Sequence, residues 1–173
     1  MTCLSGPGTA ALLALSMISC ATAGETGSRW ELGIDESITW ETVHVLSQPS
    51  TDSIPDEYAT KDVTPVLSFR CTESGDGSIG MQIDWQRFIS SFNTEAGFQV
   101  DEGKRQWIKL GVDDSNRITL ARSTSDVGAL IEQLSAGDNL SVEIAPYSEP
   151  SVFVSYDLAG FSDAVQALAS GCK

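Results

Sequence analysis

The chain has 173 residues, 41% apolar and 20% charged, the composition of one globular domain of ordinary size. Ten basic side chains stand against 24 acidic ones, a formal charge of −14. Such a charge repels phosphate backbones and anionic lipid, which argues against nucleic acid or a membrane surface as partner. Lys104-Arg105 is the only adjacent basic pair.

Residues 1–23 carry no charged side chain, and Thr9 to Cys20 is an apolar run too short to span a bilayer. Ala21-Thr22-Ala23 supplies the small-x-small pattern at which a signal peptide is cut, before Gly24. The expected organisation is a signal peptide over 1–23 and a single globular domain over 24–173. The n-region lacks Lys or Arg, which departs from the usual export signal. Lipidation of Cys20 is the alternative, but Ile18 is too large for the usual lipobox, so a soluble mature chain is favoured.

Trp30–Gly33 reads as a short strand, Ile34–Thr39 as a turn, and Trp40–Ser47 as a longer strand with Val43 and Val45 on one face and Thr42, His44 and Leu46 on the other. Gln48 to Thr64, with two prolines and many Ser, Thr and Asp residues, is the longest loop. In Pro65–Cys71, Leu67, Phe69 and Cys71 share one face of a half-buried strand. Glu73–Ser78 is a turn, and Ile79, Met81, Ile83 and Trp85 line the next strand, completing a hairpin. Arg87–Gly97 has no clear period, and Phe98–Val100 begins another strand. Gln106–Val112 points Ile108, Leu110 and Val112 inward and Trp107 and Lys109 outward, then Asp113–Asn116 turns the chain into Arg117–Ala121.

The period changes at Val127, Leu130, Ile131 and Leu134, an amphipathic helix opened by Ser125 or Asp126 and closed by Gly137. Asn139–Ile144 alternates again. Ser151–Leu158 is apolar on both faces, which predicts a central strand. Phe161, Ala164, Val165, Leu168 and Cys172 form a final helical stripe. The fold class is therefore α+β: mainly antiparallel hairpins in a sandwich-like sheet, two helices near the C-terminus and one disulfide.

Signal cleavage removes Cys3 and Cys20 and leaves Cys71 and Cys172, an even count that argues for a disulfide in an exported chain. Closing a loop of about 100 residues contributes up to about 4.7 kcal/mol in the chain-entropy model. Zinc needs two further ligands, and the sole histidine, His44, lies in a strand far from either cysteine in sequence, so no metal or other cofactor is expected.

Catalytic signals are weak. His44 sits between Val43 and Val45 with no nucleophile motif nearby, and reads as a strand histidine with a satisfied hydrogen bond. Asp35-Glu36 and Asp113-Asp114 lie in turns, where nothing suggests the burial a glycosidase pair needs. Asp113–Asn116 lacks the glycine and closing glutamate of a calcium loop. Asn139-Leu140-Ser141 is a glycosylation sequon only in a eukaryotic secretory pathway. Trp107 and Phe153 fall opposite their strands' main apolar registers; each is either covered by a second layer or exposed as an interface anchor. Arg70, beside the disulfide, is expected to pair with a carboxylate and joins Trp107 and Phe153 as a candidate interface residue. Trp30 and Trp40 are assigned to the core.

Pro65-x-Leu67-x-x-Arg70-Cys71 after an early Trp strand, Trp107 in a later strand, and Asp157-Leu158-Ala159-Gly160-Phe161 leading to Ala164, Leu168 and Cys172 resemble the TagO/VasI-like proteins associated with type VI secretion. The resemblance spans Trp30 to Cys172; it is weak over Asp84–Asp101, and the family pattern usually continues past the last cysteine. It implies a periplasmic or secreted accessory protein of a family without an assigned enzymatic activity, binding another envelope protein such as a secretion-apparatus component. The competing expectation is a small cell-wall-acting enzyme or enzyme inhibitor, with a concave site around His44 or the 48–64 loop.

Overall fold

Strand alternation decides which side chains this chain can bury. The computed structural model describes residues 28–35 and 40–172. The expected signal peptide over 1–23, with Cys20, and Glu36 lie outside the described residues.

Among the described residues, nine strands form one antiparallel sheet. Its order is β1 (Glu31–Ile34), β2 (Val43–Pro49), β5 (Val66–Thr72), β6 (Gly80–Asp84), β9 (Ile118–Ala121), β8 (Gln106–Val112), β7 (Thr94–Val100), β10 (Asn139–Ile144) and β11 (Val152–Asp157). Every pairing is antiparallel and most join neighbours in sequence, as short connections dictate. The loop expected over 48–64 contains a two-residue hairpin, β3 (Ile54–Pro55) with β4 (Asp62–Val63), which buries Ile54 and Val63. The region without a clear period stays irregular until β7 begins at Thr94.

One face of the sheet is mainly apolar. Leu46, Phe69 and Met81 follow one another across β2, β5 and β6, and Ala96, Ile144 and Val152 across β7, β10 and β11. The sheet curls strongly around this face. The chain leaving β2 reaches the far edge, where the Thr51 N–H donates to the Ser155 carbonyl at 2.8 Å. Trp85 is fully buried, and its indole N–H donates to the Thr119 hydroxyl at 2.9 Å, so its polar end is not left unpaired.

Both helices pack on the apolar face. In α1 (Thr124–Leu134) the buried residues are Val127, Leu130 and Leu134; the cap is Ser123, earlier than expected, and its hydroxyl accepts the Asp126 N–H at 3.2 Å. In α2 (Phe161–Gly171), Phe161 enters between Trp30 and Phe69, with ring centroids 4.8 and 5.3 Å away. Gly160 starts that helix at φ 76°, a conformation that costs a side-chain-bearing residue and suits glycine. Cys172 follows the last turn and is joined to Cys71 on β5, with Cα atoms 5.7 Å apart. The disulfide thus ties α2 to the middle of one half of the sheet.

Two expectations need correction. β11 is an edge strand, not a central one. Val152, Val154 and Tyr156 point into the core, whereas Phe153 on the other face is half exposed, so the second apolar face does not mean a second buried face. Trp40 lies before β2, 83% exposed, and takes no part in the core that Trp30 joins at 7% exposure. Alternation begins only at Val43, which leaves Trp40 without a sheet register.

Candidate functional site

The outer face of the sheet, away from the helices, carries the exposed aromatics that alternation predicts. Register places Trp107 of β8 opposite Gly97 of β7, Gly97 opposite Glu143 of β10, and Glu143 opposite Phe153 of β11. Four residues distant in sequence thereby form one transverse row. Trp107 and Phe153, at its ends, are each 52% exposed. No second layer covers them among the described residues.

The middle of the row is filled by Arg105. It shares the outer face with Trp107, two residues along β8. Its guanidinium pairs with Glu143, donates to the Gln99 side chain at 2.9 Å and lies 5.6 Å from the centre of the Phe153 ring. Gly97 makes room for this. A Cβ there would stand 2.6 Å from Arg105 Cδ and 3.3 Å from Trp107 Cε2. The result is a row in which Arg105 and Glu143 are paired and the aromatic ends face solvent.

Arg70 is also on the outer face but elsewhere. It pairs with Asp35 and donates to the Gln82 side chain at 3.1 Å. Three strand spacings, roughly 14 Å, separate β5 from β8. Arg70 therefore belongs with the groove over Glu31, Gly33, Val45 and Gln82 and not with the aromatic row.

The residues weighed for catalysis take structural positions. His44 is on the inner face of β2, opposite Cys71, with its ring against Gly171. A Cβ at Gly171 would stand 3.0 Å from three ring atoms, and the imidazole makes no side-chain hydrogen bond among the described residues, unlike the satisfied histidine expected. Asp113 closes the β8–β9 turn. Burial alone would push its carboxyl up, but the Ser115 hydroxyl and the Ile118 N–H hold it below the ordinary carboxylate value. In the 48–64 segment, the Thr60 hydroxyl and N–H hold the Asp56 carboxyl low in the same way and pin the β3–β4 hairpin. Among the described residues, no three His, Cys, Asp or Glu side chains are grouped to hold a metal. No described helix is long and apolar enough to cross a membrane.

Sequence reasoning singled out Trp107 and Phe153 but missed Arg105, Gly97 and Glu143. The Arg105-x-Trp107-x-Lys109 spacing was available as a signal, since alternate residues of a strand share a face. The contributions of Gly97 and Glu143 depend on cross-strand register, which no local pattern contains.

No family model matches the chain, and no curated protein matches it. Among solved structures it is similar to the crystal structure of invasion associated protein B from Bartonella henselae, with a TM-score of 0.52 and 21% identity over 84% of this chain and 95% of that one. At that identity the likeness is one of fold.

Proposed function

We propose that this chain is a non-enzymatic, exported envelope protein that binds another envelope protein through the outer face of β8, β7, β10 and β11. In the finer form of this reading the partner is a component of a type VI secretion apparatus. The observation that carries the binding role is the row Trp107–Gly97–Glu143–Phe153, two half-exposed aromatic anchors flanking the Arg105–Glu143 ion pair on the outer sheet face. Aromatic anchors of this kind dominate protein interfaces, whereas small-molecule sites are concave and converge polar groups.

Export is supported by the Cys71–Cys172 disulfide, since such bonds persist in oxidising compartments. The secretion link rests on the likeness of Pro65, Leu67, Arg70, Cys71 and the Asp157–Phe161 segment to the TagO/VasI-like pattern.

Affinity capture of the tagged protein from native envelopes, compared with Trp107→Ala and Phe153→Ala, tests the binding role. The expected result is one dominant envelope protein whose recovery falls about thirtyfold in a folded Trp107→Ala variant, the effect of losing about 2 kcal/mol at a hot spot. Equal recovery from the wild type and both variants would remove this face from the function.

A further inference from the structure

The outer side of β8 carries more than Trp107. Arg105, which immediately precedes the strand, alternates with Trp107 and Lys109 along it, and Gly111 continues the file. Gly111 has no side chain of its own there, and Arg122, just past β9, lies across it: a Cβ at Gly111 would stand 3.0 Å from Arg122 Nε. In space the file therefore reads Arg, Trp, Lys, Arg, with Lys104 next to its start. Four of the ten basic residues of a chain with charge −14 gather on or beside this one strand.

Three of these four cations are used differently from the arginines held in ion pairs elsewhere. Arg70, Arg87 and Arg117 are each paired with a carboxylate, those of Asp35, Glu149 and Glu57. Lys104, Lys109 and Arg122 make no ion pair among the described residues; Arg122 donates only to the Asn93 side chain, at 2.6 Å. Two carboxylates adjoin the file. Glu143 is engaged with Arg105, and Glu95 stands opposite Lys109 in register without reaching it as an ion pair. Two open grooves lie along the file, one lined by Lys104, Arg105 and Trp107, the other by Lys109, Arg122 and Glu95.

We infer that this file docks an acidic, extended segment of a partner polypeptide, laid along β8 with an apolar side chain on Trp107. The inference rests on the partner-binding reading above and specifies the partner's chemistry. Charge complementarity selects the occupant. Unpaired cations on a strongly anionic protein offer an acidic segment an attractive surface, and the distant carboxylates are screened beyond about 8 Å at physiological salt. Geometry agrees. Alternate side chains of an extended segment repeat at about 6.8 Å, the same spacing as Arg105, Trp107, Lys109 and Gly111 along β8. An acidic–apolar–acidic–acidic pattern at alternate positions matches the file in register.

The test uses a fluorescein-labelled synthetic peptide, Thr-Glu-Thr-Leu-Thr-Glu-Thr-Glu-Thr, and its analogue with Gln for every Glu, titrated with the mature protein by fluorescence anisotropy. The acidic peptide is expected to bind about tenfold or more tighter than the Gln analogue, and a Lys109→Glu/Arg122→Glu variant is expected to erase that difference with a melting temperature within about 2 °C of wild type. Equal binding of the two peptides, or a preference that survives the charge reversal, would overturn the inference. So would binding to phosphatidylglycerol vesicles through the same two cations without peptide binding. Envelope capture separates the two readings. If the charge-reversed protein keeps its partner while Trp107→Ala loses it, the partner-binding face stands and the acidic-segment inference falls.

Discussion

Gly97 shows how much one absent side chain organises. Its place in β7 demands no unusual backbone; what demands glycine is the close approach of Arg105 and Trp107 from β8. Without that slot, Arg105 would stand off the sheet, lose its hold on Glu143 and crowd Trp107. Gly97→Val fills the slot with a residue that strands favour, and the atoms it displaces belong mainly to the flexible stem of Arg105. Gly97 is itself buried, so the variant is expected to remain folded and to lose about 1–3 kcal/mol in urea denaturation, the range of an overpacked site. Capture of the envelope partner is expected to fall steeply in the same variant. A folded Gly97→Val protein that keeps full partner recovery would show that the Arg105 platform is incidental. Gly171 is a second site of close approach, but the rigid His44 ring that lies on it has nowhere comparable to move.

At the scale of elements, α2 is held by two independent devices: the packing of Phe161 between Trp30 and Phe69, and the disulfide from Cys172 to Cys71 on β5. Phe161 is fully buried, so Phe161→Ala is expected to cost about 3–5 kcal/mol by chemical denaturation with the disulfide intact, as truncation of a core aromatic does. A loss under about 1 kcal/mol would mean that the covalent tie, and not the aromatic packing, seats the helix.

Elements with strong local periods were legible in the sequence. β8, β10 and α2 fall where alternation or a helical stripe puts them, and the even cysteine count led to the bond between Cys71 and Cys172. What was not legible depends on neighbours. Phe153 gives β11 a second apolar face in sequence, yet the strand order leaves β11 at an edge with that face toward solvent. The small hairpin of Ile54 and Val63 was hidden among turn residues, and only the underlying core accounts for their burial. Arg87, nearly buried in a stretch with no period, reaches the Pro55 carbonyl at 2.8 Å and Glu149 at 2.5 Å, partners 32 and 62 residues away. The candidate site was half legible for the same reason: the aromatics announce themselves within their strands, and the row that unites them exists only after β8, β7, β10 and β11 have paired.

The whole molecule has two unlike surfaces on one sheet. Its apolar face is sealed by both helices and the disulfide, and its outer face carries the aromatic row and the unpaired cations on and beside β8. The fold it shares with invasion associated protein B of Bartonella henselae supplies the scaffold, and the outer face is where the proposed binding resides. The most direct test is a photo-crosslinking amino acid placed at Phe153, compared with the same probe at Tyr58 on the exposed tip of the β3–β4 hairpin, irradiated in native envelopes and read by mass spectrometry. The account predicts one dominant protein adduct from position 153 and none from position 58. An adduct from position 58 with none from position 153 would contradict it and move the binding surface to the 48–64 segment.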